Sequence, residues 1–281
     1  MTKHWARLGA GAAAMIVAAA AAGGAGAQPD GEGLNLKLGY DGKLLFLKVL
    51  NVDLNEHVTA SGHASSARIS SYGILDAFKH FNIDAVESGR VVHGDPQAGV
   101  FRHENHDGKR NRKVEVVWGP EDVSTVSQPE MNFLGDPPAT RQQRVESVGY
   151  LTAIMRLTIA ADSGPCHGDE RIFNGKELSE LGFTDPRPSE LSPAQKRLGL
   201  VNGMRCTATF KEVAGYKKKK GKDQNQGLNR PITVDFAQVG REGPWVTAKL
   251  QAQTQLGAAV IELARVDKQG QMPAGIVQAS R

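Results

Sequence analysis

Cys166-His167-Gly168-Asp169-Glu170-Arg171-Ile172-Phe173-Asn174-Gly175-Lys176-Glu177-Leu178-Ser179-Glu180-Leu181 is the stretch on which the fold turns. At its centre, Asn174-Gly175 lies between two half-apolar runs and predicts a β-hairpin. A two-residue type I′ turn needs positive φ at both central positions, and Asn-Gly accepts it with little strain. Leu178 and Leu181 break strict alternation, so a bulge is expected near Glu180. Further out, Cys206-Thr207-Ala208-Thr209-Phe210 opens another strand, with Cys206, Ala208 and Phe210 on one face and the threonines on the other. Both cysteines are therefore expected at strand starts.

Cys166 and Cys206 are the two cysteines of the chain. In an exported protein a single disulfide between them is the economical reading, and two free thiols are the alternative. Closing a loop of about forty residues stabilises a fold by about 4 kcal/mol in the chain-entropy model. There is no Cys-x-x-Cys spacing to lower a thiol pKa, and His167 alone adds too few soft ligands for a metal cage.

Export is read from the first residues. Lys3 and Arg7 precede an uncharged, Ala- and Gly-rich run from Leu8 to Ala27, which closes with Ala25-Gly26-Ala27 before Gln28. This predicts a signal peptide over residues 1–27, cleaved between Ala27 and Gln28, and a periplasmic protein. With no cysteine near that point, a lipoprotein anchor is not expected. Lys3 and Arg7 are the only charges in 1–27, so the formal charge falls from +4 to +2 on cleavage. Such a balance gives no field for nucleic acid. No later apolar run has the length of a membrane helix.

Residues 28–33 read as a flexible leader. Leu34, Leu36, Leu38 and Tyr40 alternate with polar residues, Asp41-Gly42 suggests a tight turn, and Leu44 to Leu54 returns as a second strand. Further short strands are expected at Val58–Ala64, Phe81–Val86, Val100–Asn105 and Val114–Trp118. Tyr72–His80 is a short helix or irregular, and Gly119–Arg144 a polar loop. Ser147 is placed to cap a helix whose apolar face is Tyr150, Leu151, Ile154, Met155 and Leu157. Thr184–Ser192, rich in Pro, reads as an exposed connection. Strands at Ile232–Phe236, Val246–Leu250 and Gly257–Val266 follow, with a frayed tail over 267–281. Together these predict a mainly β fold over 34–266: an antiparallel curled sheet or barrel-like body with one short packed helix.

Several features resemble the DUF3108 family of exported bacterial proteins. They are Tyr150-Leu151-Thr152-Ala153-Ile154, then Pro165-Cys166 leading to Ile172-Phe173-Asn174-Gly175-Lys176, Cys206 followed by Val213-Ala214-Gly215-Tyr216, and Gly243-Pro244-Trp245 with the strand through Leu263. The likeness spans residues 34–266 and is well marked after 146. At the hairpin tip relatives carry Asp-Gly-Arg-Arg where this chain has Asn174-Gly175-Lys176-Glu177. The resemblance implies an antiparallel, barrel-like β fold with one packed helix. It carries over no catalytic or ligand-binding residue and no cofactor.

His103-Glu104-Asn105-His106-Asp107 is the densest set of metal-ligand types, but on a strand His103 and His106 point to opposite faces, and a polar hairpin tip is the simpler reading. Ser147 has Val145 where a nucleophile elbow needs Gly. Lys217, Lys218, Lys219, Lys220 and Lys222 form a run that suits a solvated loop tip or contact with an anionic surface such as lipid headgroups. Two functional classes follow. One is a non-enzymatic envelope protein that binds an apolar or amphipathic ligand, or a partner protein, in a sheet concavity. The other is an envelope enzyme of hydrolase type built on His57, His63, His103 and His106. A continuous apolar cavity favours the first, and two of those histidines meeting a carboxylate in one cleft favours the second.

Overall fold

The computed structural model describes residues 32–78, 80–107, 111–160, 164–217, 232–254, 257–273 and 276. The expected cleavage point Ala27–Gln28, most of the leader, and Lys218, Lys219, Lys220 and Lys222 lie outside these residues.

Seven strands come first: β1 (Leu34–Leu44), β2 (Leu47–Val58), β3 (Gly62–Ser71), β4 (Asn82–Val92), β5 (Asp95–His106), β6 (Arg112–Trp118) and β7 (Val123–Gln128), with helix α1 (Gly73–Phe78) between β3 and β4. Helices α2 (Arg141–Val145) and α3 (Tyr150–Ile159) lead to β8 (Asp169–Phe173), β9 (Leu178–Pro188), β10 (Leu200–Ala214), β11 (Ile232–Val239), β12 (Trp245–Thr254) and β13 (Gly257–Gln269), with α4 (Pro193–Arg197) between β9 and β10. All thirteen strands form one sheet in the order β7-β6-β5-β4-β3-β2-β1-β13-β12-β11-β10-β9-β8. Two antiparallel meanders are thus joined where β1 pairs with β13, from Asn35 opposite Gln269 to Leu44 opposite Ala259. The expected mainly β, curled antiparallel architecture is the one observed.

Period-2 alternation determines which side is inside. Leu34, Leu36, Leu38 and Tyr40 of β1, Val52, Leu54 and Val58 of β2, and Ala67 and Ile69 of β3 are all buried on one face. That face curls around α3, which packs against β3, β4, β5, β8 and β12. The sheet is not hydrogen-bonded shut, since β7 and β8 are its edges. The edges nevertheless meet through the turn at 174–177. A Cβ on Gly175 (φ +94) would lie 2.7 Å from Val114 Cγ1 and 3.0 Å from Thr125 Cγ2. On the β8 side, Val148 N donates to Arg171 O and Val148 O accepts from Phe173 N. α2, capped by Thr140 and Gln143, sits by β7, with Arg144 bonded to Asp122 at 3.0 Å. Connections after Leu44, Ser71, His106, Gln128, Phe173, Ala214 and Thr254 leave one end of the sheet, and those after Val58, Val92, Trp118, Pro188 and Val239 leave the other.

Cys166 and Cys206 are disulfide-bonded, with Cα atoms 5.8 Å apart. The bond ties the approach to β8 to the interior of β10 and lies in a core cluster with Phe236, Trp245 and Leu250. Cys206 is therefore within a strand that begins at Leu200 rather than at its start.

Several local expectations are corrected. Asp41-Gly42 does not turn: β1 continues to Leu44 and the chain reverses at Leu45-Phe46, because β1 is held by partners on both sides. Asn174-Gly175 does sit in a hairpin, but the connection spans 174–177, with Asn174 Oδ1 accepting from Lys176 N and Glu177 N. Its bulge is on the neighbouring strand, between Glu212 and Ala214. Within 119–144 lie β7 and the start of α2. β9 runs through Pro186 to Pro188, and there its side away from β10 is an edge, where a missing N–H costs no ladder bond. The tail is ordered further than expected: β13 reaches Gln269, and Ile276 is buried against Leu34, Val58 and Met155.

Candidate functional site

Between α3 and the concave face lies a partly open chamber of about 120 Å³. α3 contributes Tyr150, Leu151, Ala153, Ile154 and Leu157 to its wall. The sheet contributes residues from both meanders, among them Tyr40, Leu54, Phe183, Phe210, Phe236 and Ile261. No lining side chain is charged, and the side-chain polar atoms in the lining are the hydroxyls of Tyr40, Tyr150 and Thr247. Burial raises the pKa of both phenols, with Glu56 adding to the rise at Tyr40. For Tyr150 the value is pushed up to about 12, Glu177 contributing after burial. Both hydroxyls therefore remain neutral donors at neutral pH. The wall can take up hydrocarbon and offer a few hydrogen bonds, and it has no charge to hold an ionised group.

Away from the chamber, α3 covers a buried polar row. Glu56, Ser65 and Glu87 are direct cross-strand neighbours on the inner face of β2, β3 and β4. Glu87 accepts from Leu151 N at 2.9 Å, Thr152 N at 3.0 Å and Thr152 Oγ1 at 2.5 Å. It thereby caps α3, whose N-cap residue Gly149 supplies no side-chain bond. Gly149 is required there, because a Cβ would lie 2.4 Å from the Glu87 carboxylate oxygens. Ser147, expected to cap this helix, instead donates its hydroxyl to Arg144 O. At the other end of α3, Glu56 accepts from Thr158 Oγ1 at 3.1 Å. Burial pushes both carboxyls up to about 7 against the pull of these hydrogen bonds.

The four histidines do not converge. His57 lies on the opposite face of β2 from inward Glu56 and bonds Asn35 Oδ1 at 2.8 Å. His63 is 1% exposed and bonds Gln97 O through Nε2 at 3.0 Å, and burial lowers its pKa. His103 also points inward, stacked on Phe101 and bonded to the Asn174 backbone. Burial and Arg112 push its pKa down to about 4. His63 and His103 stand opposite Gly89 and Ala85 of β4, so they are about 13 Å apart along the sheet. His106 points outward to Glu104, which Lys113 also contacts. Among the described residues no group of three His, Cys, Asp or Glu side chains could hold a metal ion. Lys217 is exposed, its ammonium 5.9 Å from the centre of the Phe133 ring. No described helix is long and apolar enough to cross a membrane.

No family model and no curated protein matches the chain. Among solved structures, it is similar to a β-barrel-like protein of the domain of unknown function DUF1849 from Brucella abortus. The two are 8% identical with a TM-score of 0.48, over 85% of this chain and 99% of the other.

The sequence pointed to a concavity and to the α3 face that lines it, but not to the sheet residues of the wall or to the polar row. The row had a readable signal: Glu56 continues the inward period of Val52 and Leu54. The sheet side of the chamber had none, because that wall is assembled from both meanders.

Proposed function

We propose that this is a non-enzymatic envelope protein, exported to the periplasm and of DUF3108 type, that holds an apolar or amphipathic ligand in the chamber. The observation that carries it is the uncharged lining of a chamber of about 120 Å³ held between a buried helix and a curled sheet. An apolar cavity of about 150 Å³ takes up a benzene-sized molecule, so this one can accept a small apolar group or part of a longer hydrocarbon, whose burial gains roughly 25 cal/mol per Å². The leader over residues 1–27 and the Cys166–Cys206 bond support an oxidising compartment.

Native mass spectrometry of gently purified protein is expected to show a co-purifying lipid-like mass, and an apolar fluorophore should bind with a blue-shifted emission. Ala208→Leu places added carbons in the chamber wall and should weaken fluorophore binding about tenfold while the protein still unfolds cooperatively. A ligand-free protein that leaves the fluorophore in water, or equal binding by a folded Ala208→Leu, overturns the proposal.

A further inference from the structure

We infer that the chamber selects an uncharged ligand carrying an acceptor oxygen, as in a ketone, ester or ether, and that the hydroxyl of Tyr40 donates the hydrogen bond that holds it. This rests on the reading of the chamber as a ligand site and adds the chemistry of what enters it.

Tyr40 belongs to β1, the seventh of the thirteen strands and so the middle of the sheet. Its neighbours across the two ladders are Val52 of β2 and Leu263 of β13, both buried. The residue continues the inward period of Leu34, Leu36 and Leu38 and forms part of the chamber wall. Tyr40 is only 8% exposed, yet among the described residues no donor or acceptor meets its hydroxyl; burial and the charge of Glu56 are what act on it. A buried tyrosine hydroxyl ordinarily finds a partner, because an unpaired polar group in hydrocarbon is costly. Phenylalanine would fill the same wall without that cost, so the orphan oxygen points to a partner from outside the chain.

The hydroxyl is also reachable. Ser65 Oγ, His63 Nδ1 and Trp245 Nε1 have neither a partner nor accessible surface, whereas the Tyr40 oxygen is not sealed in this way, and the space that Tyr40 borders is the chamber. The other polar side chains of the wall are placed differently: Tyr150 is already bonded to the Asn174 side chain, and Thr247 is half-buried. A trapped water does not replace a ligand here. It needs several polar partners, and the inward neighbours of Tyr40 along the ladders, Val52, Leu54 and Leu263, are hydrocarbon.

Charge sets the rest of the class. No side chain of the wall is charged, so an ionic head would lose its hydration with nothing to offset the loss. The Glu56 carboxylate, near enough to oppose ionisation of Tyr40, also opposes a carboxylate bound at the same hydroxyl.

The test uses three probes of one shape: acetophenone, α-methylstyrene, in which a methylene group replaces the carbonyl oxygen, and benzoate. Each is titrated into the full chain and followed by the NMR methyl shifts of Ala67 and Ala208 in the wall. Tyr40→Phe should weaken acetophenone about fivefold and leave α-methylstyrene within about twofold, the difference expected for one hydrogen bond. Benzoate should bind the natural chain at least about tenfold more weakly than acetophenone. The carbonyl stretch of bound acetophenone should lie lower in the natural chain than in Tyr40→Phe, the mark of an accepted hydrogen bond. Without ligand, Tyr40→Phe should unfold in urea at a midpoint no lower than that of the natural chain, since the hydroxyl serves no protein partner. Equal acetophenone affinity in the two proteins, an equal loss for both neutral probes, an unshifted carbonyl stretch, a lowered midpoint, or benzoate bound as tightly as acetophenone each overturns the inference and leaves the chamber standing as a ligand site. If none of the probes moves the methyl shifts, the chamber reading itself falls and takes the inference with it.

Discussion

Glu56 stands where the inward period of β2 calls for hydrocarbon, between Leu54 and Val58, and its carboxylate meets the Thr158 hydroxyl. That hydroxyl has one proton and also lies 3.1 Å from Ile154 O. One proton cannot serve both acceptors fully, so the buried carboxylate form of Glu56 is poorly compensated and the neutral acid is favoured. Burial raises the folded pKa from 4.5 to about 7, so the neutral acid is the folded form through mildly acidic pH. The sign follows from linkage: the contribution is fully present below 4.5, falls as pH rises toward 7, and is lost above it. Over that interval Glu56 removes on the order of 3 kcal/mol of stability. Glu56→Gln, which keeps the donor and cannot ionise, should flatten the fall by about that amount in urea unfolding at pH 4.5 to 7.5. Parallel curves for the two proteins would contradict it. Parity along β2 makes Glu56 legible in the sequence as an inward carboxyl, whereas its partner on α3, 102 residues away, is not.

α3 shows what local patterning gives and what it withholds. Its apolar face is readable from Tyr150, Leu151, Ile154 and Met155, and the helix forms there. Its cap is not readable, because Glu87 is supplied from β4, 64 residues before Leu151, and no local motif encodes that. Glu87→Ala leaves the Leu151 and Thr152 amides buried without a partner and should cost about 3 kcal/mol in chemical unfolding. Ser147→Ala, the change that local sequence marks as the damaging one, should cost less than about 1 kcal/mol. The reverse order would show that Glu87 is not the cap. The strand ends follow the same division. Pro186 and Pro188 read as a connection because proline opposes pairing, yet they extend β9 where only one side of it is paired.

At the scale of the whole molecule, short strands separated by Gly, Asp and Pro made the β class legible, and the alternation from Leu34 to Tyr40 marked the inner face. Strand order was not legible, since pairing β1 with β13 depends on contacts between the two ends of the chain. The seam between β7 and β8 is equally non-local and is closed by the turn around Gly175 rather than by a ladder. Gly175→Val would press methyl groups into Val114, Val116 and Thr125 and also strain φ +94. It is expected to destabilise the protein by about 2–4 kcal/mol and to speed amide exchange in β6 and β7 above that in β1 and β2. Uniform exchange across the sheet would show that the turn does not hold the seam.

The side-by-side placement of β1 and β13 also orders events during synthesis. Each meander consists of nearest-neighbour hairpins and can assemble from residues already made, and the Cys166–Cys206 bond lies wholly within the second. The two halves are stitched only when residues 257–269 arrive, the last strand to be translated. A nascent chain halted before residue 257 would hold two unjoined half-sheets with bare edges, so this protein depends until then on whatever shields those edges from other chains.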